Sequence, residues 1–156
     1  MEPWQEATTL GIYAWCYVLL VGSALFPWMN SEVIMLSLAA FIPSPLGQAV
    51  LVLCGTAGQM TGNCTLYWAG RGVLRFPSLQ RKLESWRQKL SQRQLGGMAV
   101  LFFSSTFGLP PFYPLSLLSG SLRIPFLRFL LVGMCGRFLR YGALVFASRL
   151  VWPLFR

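Results

Sequence analysis

The chain has no histidine and no aspartate, and its only acidic residues are four glutamates. The sequence therefore excludes three kinds of catalytic site: a nucleophile activated by histidine, a zinc ion held by histidine and a pair of catalytic aspartates. A serine-lysine pair remains formally open, but Lys82 and Lys89 lie far along the chain from any serine in an apolar segment. We predict that the protein is not an enzyme and that it has no catalytic residues, no metal site and no cofactor.

Charge is also scarce, since 11% of the 156 residues are charged and 55% are hydrophobic, whereas a soluble domain has about 25% charged residues. The apolar residues fall into long segments, namely residues 10–28, 33–68, 98–122 and 124–155. A helix of about 20 apolar residues can cross a bilayer. The pattern predicts an all-α, multi-pass integral membrane protein with residues 1–156 in a single membrane domain.

The positive charge is concentrated between residues 71 and 93, where seven arginines and lysines accompany the single acid Glu84. Such a loop stays on the cytoplasmic face, and no recognition fold accompanies it that would indicate nucleic acid. Within it, apolar residues recur at helical spacing, namely Leu79, Leu83, Trp86 and Leu90. Residues 71–97 therefore indicate a basic amphipathic helix at the membrane surface, or else a solvated linker helix.

Two polar breaks interrupt the apolar segments in a similar way. Residues 26–32 and residues 104–114 each contain proline and polar side chains, and each precedes an apolar piece of roughly ten residues that ends near another proline. Paired short segments of this kind are typical of a binding site formed by broken helices. We therefore expect two opposed re-entrant hairpins, with their non-helical backbone facing protein or a water-filled cavity.

The residues from Gly55 to Gly72 spell a pattern similar to the G-x-x-G-x-x-x-G-[DN]-x-x-x-Y-x-x-G-R signature of the DedA, or VTT-domain, membrane proteins. The matching positions are Gly55, Gly58, Gly62, Asn63, Tyr67, Gly70 and Arg71, with Gly72 directly after them. Downstream, residues 119–129 resemble the A-G-x-x-[RK]-M-P-x-x-x-F that follows the second re-entrant loop of that family, with Gly120 on its glycine. The resemblance covers residues 26–144.

This resemblance implies a lipid transporter or scramblase, related in bacterial members to phospholipids or polyprenyl phosphate carriers. The second break, with Pro110 and Pro111, departs from the family: two arginines of its motif are replaced by Thr106 and Phe112. Because guanidinium groups engage phosphate bidentately, this change puts specificity for a phosphate carrier in question. An Arg-Tyr pair at Arg140 and Tyr141 resembles the short YqaA-like members.

Arginines at Arg137 and Arg140 lie three residues apart, on one face of a helix, about halfway along the last apolar segment. A deep arginine should face the interior with a partner, and Glu32 is the one acid within an apolar segment. We hypothesise that Glu32 and Arg140, together with Arg137, form a polar centre for lipid headgroups. In the alternative, the arginines lie between two shorter helices and Glu32 ends the first helix in headgroup water.

Smaller signals point mainly to packing. Gly55, Gly58 and Gly62 share one helical face, which lets helices approach closely, while Asn63 and Tyr67 could bond to a hairpin, a lipid or a neighbouring residue. The cysteines are most simply small buried hydrophobes, namely Cys16, Cys54, Cys64 and Cys135. Tryptophans near segment ends fit the aromatic belts of membrane proteins, including Trp28 and Trp68.

Three functions follow from these observations. The first is translocation of lipid headgroups along a path that includes Glu32, Asn63, Tyr67, Thr106 and the two arginines. The second is a non-transporting scaffold or assembly subunit, and the third is a proton-coupled carrier of small solutes. We expect membrane lipids as partners, self-association and no nucleic acid, in a bacterial inner membrane with residues 71–93 in the cytoplasm.

Overall fold

The computed structural model describes residues 3–26, 28–73, 94–108 and 111–151, and these residues form helices joined by short turns, with no strand among them. The helices are α1 (Pro3–Leu25), α2 (Ser31–Ala39), α3 (Pro45–Val73), α4 (Gln94–Phe107), α5 (Phe112–Ser121) and α6 (Phe126–Val151). The prediction of an all-α chain is confirmed. Residues 74–93, which make up most of the predicted amphipathic segment, lie outside the described residues, and its two ends belong to α3 and α4.

Two of the described helices are long and apolar enough to cross a membrane, judged by length and composition: Thr8–Leu25 of α1 and Phe126–Arg149 of α6. Large apolar side chains lie on their outer surfaces, including Leu10, Trp15, Leu127, Leu131 and Leu139. Exposed apolar side chains along helices of spanning length suit a lipid environment.

The breaks predicted from proline and polar residues appear as gaps between helices. At the first predicted break, residues 26–32, α1 ends at Leu25 and α2 begins at Ser31. At the second, residues 104–114, α4 ends at Phe107 and α5 begins at Phe112, while residues 40–44 near Pro43 separate α2 from α3. Helices α2, of nine residues, and α5, of ten, are each about 15 Å long at 1.5 Å per residue, which is half the thickness of a hydrocarbon core. Neither helix can span a bilayer alone.

The first of two compact units comprises residues 1–62 and 138–156. Its core contains Cys16, Leu20, Met35, Ala39, Ile42, Leu51, Val52, Tyr141 and Val145. Glycines let α3 approach its neighbours: a Cβ atom at Gly58 would collide with the backbone of Tyr17, and one at Gly62 would lie 2.6 Å from the Cβ of Ala24. At Gly55 the added atom would lie 2.6 Å from the sulfur of Met35.

The second unit comprises residues 63–137. Here α3 and α5 touch through their backbones, because a Cβ atom at Gly70 would collide with the carbonyl of Leu117 and one at Gly120 with the carbonyl of Tyr67. Aromatic rings fill the space beside this contact. Tyr67 stacks on Phe129 at 5.0 Å between ring centroids.

The cysteines correct one interpretation. Cys16 is buried, but Cys54 and Cys64 are half-buried and Cys135 is exposed, and all of them are free thiols. The prediction that every cysteine is a buried hydrophobe is therefore wrong for Cys135. Since a thiol behaves as a small hydrophobe, it is tolerated on the apolar outer face of α6 as readily as in a core.

Candidate functional site

Glu32 lies in the first turn of α2 in the first unit. Asn30 caps this helix, since its side-chain oxygen accepts hydrogen bonds from the backbone nitrogens of Glu32 at 3.0 Å and Val33 at 3.5 Å. A carboxylate in the first helical turn is favoured by the positive end of the helix dipole. Glu32 therefore begins a helix of its own, and the alternative in which it ends the first helix is wrong.

Arg140 lies on α6 and forms an ion pair with Glu32 through its Nη2 and the carboxylate Oε1. The side chain of Arg140 is 20% exposed and that of Glu32 is 33% exposed. The pair is thus only partly covered by protein, and another anion has access to the guanidinium. The structure brings these two predicted site residues together.

Helix α6 is continuous from Phe126 to Val151. Arg137 and Arg140 therefore both lie within one long helix, and the alternative that placed them between two shorter helices is wrong. An apolar helix of this length can carry an arginine near its middle only with a suitable partner. For Arg140 that partner is Glu32.

Gln48 and Arg149 also belong to the first unit, and the sequence analysis missed them. Gln48 donates from Nε2 to the carbonyl oxygen of Ile42 at 2.9 Å, and Arg149 donates from Nη2 to that of Pro43 at 2.9 Å. These carbonyls lie in the break between α2 and α3, where no helical partner is available. The sequence does contain a signal for these two residues, because each is a polar side chain in an otherwise apolar segment.

Arg137 is described with the second unit, where it is buried. Its guanidinium carbon lies 4.9 Å from the centre of the Phe112 ring, an arrangement that favours a cation through the ring quadrupole. Phe112 is one of the two positions at which the family motif has arginine. At the other, Thr106 donates its hydroxyl to the carbonyl of Phe102 at 2.9 Å.

Asn63 and Tyr67 hold the region of α5 against α3 in the second unit. Ser116 donates its hydroxyl to Oδ1 of Asn63 at 3.0 Å, and the Tyr67 hydroxyl donates to the carbonyl of Ile124 at 2.5 Å. Both side chains are buried. Their polar groups therefore bond to the short helix and the turn after it, one of the alternatives open from the sequence.

The remaining motif residues differ in their surroundings. Arg71 is exposed, and its guanidinium carbon lies 5.3 Å from the centre of the Trp68 ring. A Cβ atom at Gly72 would meet nothing within 4 Å, so packing does not require glycine there. Pro111 precedes α5 with extended backbone, at φ −54° and ψ 135°, while Pro110 lies outside the described residues.

The chemistry available in the first unit is that of a partly exposed guanidinium and carboxylate on apolar helices. Such a pair can exchange its internal partner for an external anion, because arginine binds carboxylate and phosphate in similar geometry. Among the described residues no group of three histidine, cysteine, aspartate or glutamate side chains could hold a metal ion. The arrangement suits binding and displacement of charged groups.

These features define a helical, membrane-associated protein with charged side chains on apolar helices. The family model of the VTT domain matches residues 26–150, and the chain belongs to the VTT domain family. Members of this family are membrane-associated and are commonly proposed to be transporters. No curated protein and no solved structure matches the chain to a significant degree.

Proposed function

We propose that the protein is a multi-pass membrane transporter of the scramblase kind, which lets the headgroups of phospholipids or polyprenyl phosphates cross the bilayer. The observation that carries this proposal is the ion pair between Glu32 and Arg140. Ionisable residues within apolar spans are expensive, and they commonly mark the path of a polar substrate. The protein acts without enzymatic chemistry.

In this mechanism the phosphate of a headgroup displaces Glu32 from Arg140. The guanidinium then bonds to the phosphate through two of its N–H groups, as arginine does with phosphate in general. Glu32, released from its cation, then takes up a proton. Departure of the headgroup restores the internal pair, so Glu32 carries a proton through each cycle.

The short helices serve as re-entrant segments in the same proposal. Irregular backbone at membrane depth must have its polar groups satisfied by protein or water. The contacts from Gln48 and Arg149 to the carbonyls of Ile42 and Pro43 supply such partners after α2. After α5, backbone hydrogen bonds from Arg123 to Gly120 and from Ile124 to Ser119 do the same.

We assign the protein to the short YqaA-like members and to a bacterial inner membrane, with residues 71–93 in the cytoplasm. The basic composition of that segment supports the orientation.

A non-transporting scaffold or assembly subunit is the second candidate. It is favoured by Thr106 and Phe112, which replace two arginines of the family motif and use their positions for a hydroxyl bond within α4 and a ring contact.

Lipid exchange in proteoliposomes tests the proposal. The full chain is reconstituted with fluorescent phospholipid or with a labelled polyprenyl phosphate, and the fraction of label reaching the outer leaflet is followed by chemical quenching. Wild-type protein should exchange lipid faster than protein-free vesicles. Glu32→Gln and Arg140→Ala should each reduce the protein-dependent rate by at least about tenfold, which corresponds to about 1.4 kcal/mol in the barrier.

A matched control is Glu6→Gln, which removes the same charge by the same chemistry from another part of the chain. It should exchange lipid at the wild-type rate. If folded wild-type protein exchanges no faster than empty vesicles, the transporter proposal fails and the scaffold becomes the working function. If exchange is fast but insensitive to both variants, the Glu32 and Arg140 pair does not lie on the path.

A further inference from the structure

The turn after α5 holds an arginine in a backbone conformation that usually belongs to glycine. Helix α5 ends in a Schellman motif: Ile124 N donates to Ser119 O at 3.0 Å, and Arg123 N donates to Gly120 O at 3.0 Å. The motif requires a left-handed residue at C′, directly after the C-cap residue Leu122. That residue is Arg123, with φ 55°.

Glycine is the default at such a position because any side chain is disfavoured there by contact with the backbone. Arg123 is the one described residue other than glycine with a positive φ. A residue in a sparsely populated backbone conformation is a signal of function when the surrounding structure holds it there. The side chain at 123 is therefore a candidate for a functional role.

The end of α3 lies beside this turn. Ser121 donates its hydroxyl to the carbonyl of Gly70 at 2.9 Å. Tyr67 joins the two segments more directly, because its hydroxyl donates to the carbonyl of Ile124 at 2.5 Å and accepts a hydrogen bond from Nη1 of Arg71 at 3.4 Å. One tyrosine hydroxyl thus connects Arg71 with the residue that follows Arg123.

Both arginines are exposed, and Arg71 is held in place by its stacking on Trp68. The described residues of the second unit contain no aspartate or glutamate, so none of them offers a carboxylate to these two arginines. An exposed guanidinium attracts an anion, and these two arginines lie on segments that the Tyr67 hydroxyl joins. Trp68, which is 54% exposed beside Arg71, is the side chain type enriched where a protein meets lipid headgroups.

We propose that Arg71 and Arg123 form a phosphate-binding site where the end of α3 meets the turn after α5, and that its ligand is the phosphate group of an anionic phospholipid at the membrane surface. Arginine is well suited to phosphate because its planar donors match the phosphate oxygens. This site is separate from the Glu32 and Arg140 pair. It would operate in a scaffold as well as in a transporter.

The test uses the full chain in detergent, titrated with phosphatidylglycerol and, in parallel, with zwitterionic phosphatidylcholine, with bound lipids counted by native mass spectrometry. Arg123→Gly is the decisive variant, because glycine fits the left-handed position better than arginine. Its unfolding temperature should rise while its apparent dissociation constant for phosphatidylglycerol increases about fivefold, the effect of one arginine near an anionic surface. Arg71→Ala should weaken binding by a similar factor.

The control for a general loss of charge is Arg156→Gly, which removes one arginine at the chain terminus and should bind phosphatidylglycerol as wild type does. Glycerol phosphate is added in a further arm. If it competes at millimolar concentration in wild type but not in Arg123→Gly, the phosphate site stands and accepts a soluble ester as well. Wild-type affinity in Arg123→Gly, or an equal loss in Arg156→Gly, would overturn the proposal.

Discussion

The two compact units end their short helices by different chemistry. In the first unit polar side chains bond to the backbone at both ends of the short helix. Asn30 caps the start of α2, and Gln48 and Arg149 donate to the carbonyls after its end. In the second unit the backbone ends α5 through the Schellman motif, α3 and α5 meet at a glycine contact, and one side chain, that of Tyr67, bonds to the carbonyl of Ile124 after the helix. No side-chain bond caps the start of α5.

The interactions that stabilise the two units also differ. The first unit contains an acid and its arginine partner, so its stability and its proposed role depend on charge. The second unit has no acid among its described residues, and its helices meet where even one methyl group does not fit, as α3 also does at Gly58 in the first unit. Substitutions that change charge should therefore affect mainly the first unit, whereas added volume at the glycine contacts should affect both.

The largest effect is expected from Gly120→Val in the second unit. The added side chain would enter the space held by the carbonyl of Tyr67 and the nitrogen of Arg71, and rigid backbone cannot move aside cheaply. We expect a loss of at least about 3 kcal/mol in the free energy of unfolding, measured by thermal or denaturant unfolding in detergent. Gly72→Ala, where the space is open, should be neutral or slightly stabilising. Equal stability of the two variants would contradict the backbone contact.

Removing the cation of the ion pair should have the next largest effect. Arg140→Ala leaves Glu32 without its partner in a partly covered site, and we expect a loss of about 2 kcal/mol, between the values typical of exposed and of buried pairs. Arg140→Lys keeps the charge and should retain most of the stability. An equal loss in both variants would show that packing of the arginine, and not its charge, stabilises the first unit.

A smaller effect is expected where side chains donate hydrogen bonds to the backbone carbonyls after α2. Gln48→Leu keeps the approximate volume but removes the donor to the carbonyl of Ile42, which should cost about 1 to 1.5 kcal/mol. Hydrogen exchange of residues 40–44 should rise at the same time. The matched variant is Ser119→Ala in the second unit, whose hydroxyl bonds only within its own helix, to Leu115. That variant should leave exchange at its own helix end unchanged.

The smallest effect concerns the helix starts. Asn30→Ala removes the oxygen that accepts from Glu32 and Val33 and should cost about 1 kcal/mol. Pro111→Ala, at the corresponding position before α5, removes no capping bond and should change stability by less than about 0.5 kcal/mol. Unfolding in detergent measures the loss of stability in both variants. A larger loss in Pro111→Ala than in Asn30→Ala would contradict the different capping of the two helices.

The sequence predicts the helical class, the breaks near Pro43 and before α5, and the family, because apolar length and proline act locally. It also singles out Glu32 and Arg140, since an acid and an arginine in apolar segments have few candidate partners. Gln48 and Arg149 escaped prediction because their bonds go to carbonyls left open by a chain break. The left-handed Arg123 escaped it because sequence patterns assign that conformation to glycine.

Lipid exchange by a charge-swapped protein is the most direct test of whether Glu32 and Arg140 pair on the lipid path. Proteoliposomes are made with wild type, Glu32→Arg, Arg140→Glu and the double variant at matched incorporation. We expect each single variant to lose exchange and the double variant to recover a substantial part of it, because the pair is restored with its charges reversed. A double variant as inactive as the single ones, although folded, would contradict the direct pairing of Glu32 and Arg140 on the lipid path.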